Sequence, residues 1–406
     1  MVLWMRVVLA YSGGLDTTTC IVWLREKYGS EVVTVTVDVG QEEDFEEVER
    51  RAYRAGAAKH YTIDAKEEFV REYIFPAIKM NALYEGAYPL STALARPLIA
   101  KKVLEVAEKE GADAVAHGST SKGNDQVRFD LTIRALNPSI RIITPARSWG
   151  MTRSEELEYL RIRGIDVPSQ NKRYSIDDNL WGRSIEGGEL DDPSQSPLED
   201  AFKWTRSPEK APDKHQILEI EFKEGIPIGI DGEILDPVRL ISTLNTVGGV
   251  HGVGRIDHLE NRLVGFKSRE VYEAPAATIL IKTHEDLEKS VLTPRELRVK
   301  KMLEPIWSDL VYNGLWFEPA RTAIEALANE MNKWVTGSVR VKLYKGSMSI
   351  VSRKSPYIAY SQEIASYEKG WYPSEEKAVG FIEIWGMHTL TALRVRGLAL
   401  QRTSPR

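Results

Sequence analysis

The stretch from Val7 to Thr19, VVLAYSGGLDTTT, limits what this chain can fold into more than any other. An apolar run too short to cross a membrane breaks into Ser12-Gly13-Gly14, and Cys20-Ile21-Val22-Trp23-Leu24 resumes beyond it. Val7-Val8 with Leu9 and Ala10 predicts a strand buried on both faces, and the second run predicts a helix. Two glycines between them let the backbone approach an anion closely, so that loop amides and first-turn N–H groups converge on one site. Phosphate is the natural occupant. No lysine follows the glycines, which excludes the Gly-x-x-x-x-Gly-Lys-Ser/Thr loop, and Asp16 would repel a phosphate unless a cation lay between them. Capping accounts for Asp16 and Thr17 through a dipole interaction of roughly 0.3–1 kcal/mol, but it leaves Ser12, Gly13 and Gly14 unexplained.

The loop resembles the Ser-Gly-Gly-x-Asp loop of the N-type ATP pyrophosphatases, which cleave ATP between the α and β phosphates and hold pyrophosphate as the leaving group. That resemblance implies ATP and AMP-forming chemistry without naming the other substrates.

Glu31 to Asp38 (EVVTVTVD) alternates β-branched residues and closes on Val39-Gly40-Gln41, a second strand and turn. The charged run Glu42 to Arg54 predicts an exposed helix, His60 to Asp64 a third strand, and Glu67 to Leu83 another helix. Repeated βα units imply an α/β fold, a mainly parallel twisted sheet with ligands at the carboxyl ends of its strands. Tyr88-Pro89-Leu90-Ser91-Thr92 leads into a helix carrying Arg96 and Lys101, and strands are predicted at Asp113 to Ala116 and Arg141 to Pro145. Between those strands, His117 to Arg128 is dense in polar residues. Turn preference accounts for Ser119 to Gly123 but not for Arg128. An arginine there offers a planar fork to a carboxylate, while Asn124 and Asp125 can receive and orient an amino group, which suits an amino-acid ligand.

Periodicity fails near Gly164 to Lys172, so a domain boundary is expected there, with residues 1–168 binding nucleotide and 169–365 forming an α+β second domain. The polar, glycine-rich segment Tyr174 to Ser196 reads as a long substrate-facing loop. Ile217 to Phe222 and Ile226 to Leu235, with Asp231-Gly232 as a turn, predict antiparallel strands, and Asp236-Pro237 opens a helix. The glycines of Gly248 to Gly254 have the wrong spacing for a dinucleotide fingerprint and lead into Arg255-Ile256-Asp257, which reads as extended. The series Glu260, Asn261, Arg262, Lys267, Ser268, Arg269, Tyr272 and Glu273 suits a charged surface strand and turn as well as a site. Thr293-Pro294-Arg295-Glu296 starts a helix running to about Tyr312, another spans roughly Pro319 to Val335, and Val339 to Tyr344 pairs with Met348 to Ser352. Ser374 opens a terminal helix with more apolar surface than one subunit usually buries, so 366–406 is expected to be an oligomerisation arm.

At 406 residues, two domains are the reasonable prior, and 42% apolar content supports a globular fold. A net charge of −5 argues against broad nucleic-acid binding, and no apolar stretch approaches the ~20 residues of a membrane span. One cysteine, Cys20, excludes an intrachain disulfide and any multi-cysteine metal site, and the N-terminus has no signal-peptide architecture. A cytoplasmic protein is expected. The seven histidines are scattered, and only His117 adjoins a suspected site.

With these loops assembled, the sequence resembles the argininosuccinate synthase family along nearly its whole length. The resemblance is carried by AYSGGLDTT at Ala10 to Thr18, VGQEEDF at Val39 to Phe45, YPLSTALARP at Tyr88 to Pro97, KGNDQVRF at Lys122 to Phe129, YSIDDNL at Tyr174 to Leu180, GVGRID at Gly252 to Asp257 and ENRLVGFKSREVYEAPAATIL at Glu260 to Leu280. It implies ATP-dependent ligation of L-citrulline with L-aspartate through a citrullyl-adenylate, with Mg²⁺, releasing AMP and pyrophosphate, by a homotetramer joined through its C-terminal segment. It implies that Ala10, Tyr11, Ser12, Gly13, Gly14, Leu15, Asp16, Thr17, Thr18, Val37 and Gly118 hold ATP. Tyr88, Ala93, Asn124, Arg128, Ser175, Ser184, Glu260 and Tyr272 would hold citrulline, and Thr120, Asn124 and Asp125 aspartate. No general base is assigned. Ser12 and Asp125 would position the reactants, and the metal ligands stay open.

Three departures stand out. Ser91 and Ser121 replace common glycines and require negative φ, and Trp181-Gly182-Arg183 replaces the family's usual run before Ser184. Other enzymes with the loop, an amidotransferase subunit or a tRNA-modifying thiolase or lysidine synthetase, fit less well: the cysteines and basic surface they call for are missing. A non-catalytic nucleotide-binding regulator would have no need of amino-acid sites in two domains.

Overall fold

The computed structural model describes residues 5–167, 173–366 and 374–398. The expected boundary at residue 168 lies outside the described residues. In chain order the described strands are β1 (Arg6–Ala10), β2 (Glu31–Asp38), β3 (Lys59–Asp64), β4 (Ala114–Ala116), β5 (Arg141–Ile143), β6 (Ser175–Asn179), β7 (Gly182–Glu186), β8 (Gln216–Lys223), β9 (Ile226–Ile230), β10 (Glu233–Ile234), β11 (Arg255–Asn261), β12 (Lys267–Glu273), β13 (Gly337–Tyr344) and β14 (Ser347–Lys354).

The first five strands form one sheet in the order β3-β2-β1-β4-β5, every neighbouring pair parallel. Successive side chains of β1 point to opposite faces: Val7 and Leu9 join one hydrophobic core with Ile21 and Leu24 of helix Leu15–Tyr28, and Val8 joins another with Leu94 and Leu98 of helix Ser91–Glu110. This is why the opening run reads as continuously apolar. The chain builds outward from β1 to β3 and returns on the other side as β4, so the carboxyl ends of β1 and β4 flank the switch point where such sheets bind ligands.

After residue 173 the pairing turns antiparallel. One sheet runs β10-β9-β8-β13-β14 and another β11-β12-β7-β6, with helices Pro237–Val250 and Pro275–Val291 packed between them and the first domain's helices. The boundary signals read from sequence act as expected. Asp236 caps its helix by accepting from the Arg239 amide at 2.9 Å, Thr293 and Glu296 form a capping box, and Asp231-Gly232 turns with φ of 53° and 84°.

Two expectations need correction. Tyr174 to Ser196 is not a long loop, because β6 and β7 form a hairpin through Leu180-Trp181 and pair onward with β12. Its polar composition hid the strands, whose Ile185 joins the flanking Tyr174 and Leu190 in a small core with Ala201 and Val271. The helix predicted from Glu67 to Leu83 ends at Lys79 and contains a π-helical stretch at Val70–Ile74. Pro76 explains it: proline has no N–H and its ring crowds the carbonyl four residues back, which a widened turn relieves.

The described residues up to Tyr357 form one compact unit, and the described residues from Ile358 onward form a second. In the second unit, Ser374 caps helix Glu375–Val395, whose apolar side chains Phe381, Ile382, Ile384, Trp385 and Leu390 are all exposed.

Candidate active site

The Ser12-Gly13-Gly14 loop is built by its neighbours. At Gly13 φ is +72°, and a Cβ there would lie 2.9 Å from Val48 Cγ2, so helix Phe45–Arg54 packs where a side chain would be. From the same helix, Arg51 donates to the Gly13 carbonyl. Gly14 opens helix Leu15–Tyr28 with no side-chain cap, leaving first-turn N–H groups free for an anion. Ser12 Oγ and Thr17 Oγ1 lie 3.1 Å apart and Tyr11 Oη meets Thr18 Oγ1 at 3.2 Å, which ties the loop to that first turn. Ala10, Tyr11, Leu15 and Thr18 are buried supports, whereas Ser12 and Gly14 are exposed. Val37 lies near the end of β2, and Gly118 follows β4, where a Cβ would come within 3.0 Å of Thr17 Cγ2. The loop after β4 therefore packs on the first turn of helix Leu15–Tyr28.

Asp16 faces Glu156 of helix Arg153–Arg161. Burial, then the Asp16 charge, pushes the Glu156 carboxyl up to about 8, and its Oε2 is buried without a hydrogen-bond partner. His117 is fixed in one orientation, with Nε2 2.8 Å from Asp130 Oδ1 and Nδ1 accepting from the Ser119 amide at 3.3 Å.

A second cluster gathers most of the residues expected to hold amino acids. Tyr88 and Tyr272 stack at 4.3 Å and 14°, and the Tyr88 hydroxyl accepts from the Thr92 amide at 2.9 Å. Tyr272 donates to Glu260 Oε2 at 2.6 Å, and Tyr312 donates to Glu260 Oε1 at 2.5 Å. Asn124 Nδ2 donates to the Tyr312 hydroxyl at 2.9 Å. Burial, reinforced by nearby Tyr88 and Glu260, raises Tyr272, and burial with Glu260 raises Tyr312, so both phenols keep their protons. Arg128, only 4% exposed, donates to the Tyr312 carbonyl through Nε and Nη2 and to Asp125 Oδ1 at 3.0 Å. Asp125 also accepts from Arg96 Nε at 2.7 Å, and Arg96 bonds Asp177 as well. Burial alone would raise the Asp125 carboxyl; the Arg96 and Arg128 guanidiniums outweigh it and hold it below the ordinary aspartate range.

Ala93 is fully buried, so only its backbone is available. It sits in the first turn of helix Ser91–Glu110, where N–H groups lack intrahelical partners. Leu90 precedes that turn with φ of +66°, a strained conformation for leucine that aims the helix start at the cluster. Ser184 lies directly opposite Tyr272 across the β7–β12 pair and donates to the Asp177 carbonyl at 3.3 Å. Ser175 is exposed on β6, and Thr120 is exposed in the loop after β4; the structure brings neither into the hydrogen-bonded cluster.

The three sequence departures have physical accounts. Ser91 and Ser121 are absent from the residues with positive φ, so neither needs glycine. Trp181 is fully buried and donates to the Pro89 carbonyl at 2.8 Å, and Asn179 Nδ2 donates to the Ser91 carbonyl at 3.1 Å, fastening the hairpin to the Tyr88–Ser91 bend. Arg183 pairs at 2.6 Å with Glu273, which is 0% exposed and also accepts from the amides of Lys203, Trp204 and Thr205. The departing run fastens the hairpin to the Tyr88–Ser91 bend and to buried Glu273.

Comparison with known proteins decides the family. A profile described as the arginosuccinate synthase N-terminal HUP domain matches residues 6–166, and one described as the arginosuccinate synthase C-terminal domain matches 174–392. The argininosuccinate synthase of Pyrobaculum aerophilum is 65% identical over 96% of this chain and 99% of its own. Those of Hyperthermus butylicus and Pyrococcus furiosus are 61% and 56% identical, over 97% and 96% of this chain and 100% and 94% of theirs. The chain belongs to the argininosuccinate synthase family. A solved structure titled as a predicted subunit of tRNA methyltransferase from Methanocaldococcus jannaschii covers 39% of this chain and 88% of its own at 17% identity and a TM-score of 0.25, a likeness that carries no argument.

Within this argininosuccinate synthase chain, sequence reasoning missed Tyr312, Tyr84, Asp177 and Glu156, and named Arg96 only as part of a helix. Each owes its place to a contact with a residue distant in the chain. Tyr312 bonds Arg128 across 184 positions, and no local pattern marks a tyrosine at a helix end.

Proposed function

We propose that this protein joins L-citrulline and L-aspartate to form argininosuccinate, consuming ATP and releasing AMP and pyrophosphate, as a step of arginine biosynthesis. The observation that carries the reading is the segment from Gly118 to Arg128. It begins packed on Thr17 of the phosphate loop and ends with Asn124, Asp125 and Arg128 inside the aromatic cluster. A nucleotide and an amino acid bound at its two ends are neighbours.

In this reading Ala10 to Thr18, Val37 and Gly118 hold ATP. Citrulline lies against Tyr88, the Ala93 amide, Asn124, Arg128, Ser184, Glu260 and Tyr272, with Ser175 at the rim, and aspartate against Thr120, Asn124 and Asp125. The ureido oxygen forms a bond to the α-phosphorus as the bond to pyrophosphate breaks; the aspartate amine then attacks the ureido carbon and AMP leaves. A neutral ureido oxygen needs alignment more than a strong base, and fixed alignment of reactants is worth effective molarities of roughly 10⁵–10⁸ M. Ser12, Gly13 and Gly14 take the pyrophosphate charge, and Asp125, kept anionic by two arginines, receives the aspartate ammonium.

The Asp16–Glu156 pair fits Mg²⁺. Two carboxyls, one with an unpartnered buried oxygen, beside phosphate oxygens and water make an ordinary donor set for that ion. Bound there, Mg²⁺ would neutralise charge on the leaving pyrophosphate.

The exposed apolar side of helix Glu375–Val395 supports assembly with other copies, and we assign a homotetramer. Among the described residues no helix is long and apolar enough to cross a membrane; with a single cysteine, a reducing cytoplasm suits the chain. The deciding experiment incubates the purified protein with ATP, Mg²⁺, citrulline and aspartate. AMP, pyrophosphate and argininosuccinate are expected in equal amounts, whereas ADP, or turnover independent of citrulline, would refute the assignment.

A further inference from the structure

We infer that Tyr312 is a positioning residue for citrulline: its hydroxyl orients Glu260 and Asn124 and its carbonyl holds Arg128, so one helix end aligns three of the citrulline contacts. The inference rests on the citrulline site proposed above.

The hydrogen-bond polarity has a single solution. Asn124 Oδ1 accepts from the Leu263 amide at 3.1 Å, which fixes its Nδ2 as the group facing Tyr312 at 2.9 Å. The Tyr312 oxygen accepts that N–H, so its own proton goes to Glu260 Oε1 at 2.5 Å. Tyr272 donates to the other carboxylate oxygen, Oε2, at 2.6 Å. Each Glu260 oxygen therefore receives one phenol proton and keeps a lone pair aimed elsewhere, available to an N–H of the ligand. Glu260 is 3% exposed, so its carboxylate is held by these two phenols rather than by solvent.

The backbone end of Tyr312 is equally committed. Tyr312 is the last residue of helix Pro294–Tyr312, where carbonyls lose their intrahelical donors. Arg128 fills that vacancy with Nε at 3.1 Å and Nη2 at 2.9 Å, a cation at a helix carboxyl end. Two residues on, Gly314 has φ of +75° and packs so closely that a Cβ would lie 3.0 Å from Arg128 Cα. The Tyr312 ring stacks on Tyr84 at 3.6 Å and 2° and meets Tyr88 edge-on at 6.2 Å, which holds the hydroxyl in place.

Tyr312→Phe keeps the ring, the stack and the carbonyl and removes only the hydroxyl. With aspartate saturating, the citrulline KM is expected to rise about tenfold or more while the ATP KM stays within about twofold. In a Glu260→Gln background the same substitution is expected to change the citrulline KM by less than about threefold, since the group it acts through is already altered. A wild-type citrulline KM, equal increases for both substrates, or full additivity with Glu260→Gln would overturn the inference. A Tyr312→Phe protein that does not fold would also overturn it, by making the hydroxyl a determinant of the fold. Failure of the underlying reading is distinguishable: without the function the wild-type protein would not consume citrulline, and without the site Glu260→Gln alone would leave the citrulline KM unchanged.

Discussion

Gly13 and Gly14 are adjacent in sequence yet differ in what they require. Gly13 adopts φ of +72° with Val48 at 2.9 Å from the place of a Cβ, whereas Gly14 has φ of −77° and the nearest atom to its Cβ position is Ser12 Oγ at 3.4 Å. An L-residue in the left-handed region costs roughly 1–2 kcal/mol before any clash. Gly13→Ala is therefore expected to weaken binding of a non-hydrolysable ATP analogue by about tenfold or more, and Gly14→Ala by clearly less; calorimetric titration of both variants decides it, and equal losses would refute the distinction. The need for glycine was legible in the sequence. Which of the two carries it was not, because Val48 is supplied by another helix. The same holds for Glu260, visible as a residue of interest, whose two phenol donors come from the adjacent strand (Tyr272) and a distant helix end (Tyr312).

At the scale of elements, β12 carries both the pocket's Tyr272 and, two residues earlier on the same face, Glu270. Burial, then the charge of Glu186, pushes the Glu270 carboxyl up to about 8, with Arg262 opposing. In the unfolded chain a glutamate titrates near ~4.3, so between roughly pH 4 and pH 8 the folded state holds a proton that the unfolded state has released. Stability then falls as pH rises through that window. Glu270→Gln removes the titration, and its melting temperature is expected to decline less than the wild type's between pH 5 and pH 8.5; identical slopes in differential scanning fluorimetry would exclude Glu270 as the source. Elements marked by caps or by apolar alternation, such as Glu31–Asp38 and Pro294–Tyr312, were legible to within a residue or two. The β6–β7 hairpin was not, since a strand such as SIDDN is held by pairing and a remote core rather than by its own pattern.

At the scale of the whole molecule, the parallel order around β1 follows from the βα repeats, while the registers joining β7 to β12 and β8 to β13 depend on strands far apart in the chain. Assembly is tested at helix Glu375–Val395, where Trp385 is 76% exposed and Ile384 71%. Replacing both by glutamate is expected to lower the mass measured by light scattering below that of a tetramer; an unchanged mass would place the interface elsewhere. The grip of Tyr312 on Arg128 also has a consequence for how the protein is born. The two residues are 184 positions apart, and at about 5–20 residues per second a ribosome needs roughly 10–40 s to travel between them. Throughout that interval the emerging chain already contains every residue of the Ser12–Gly14 loop, while Arg128 has no Tyr312 carbonyl to hold it. Synthesis itself thus delays completion of the Glu260–Tyr312–Arg128 cluster until after the Ser12–Gly14 loop has been made.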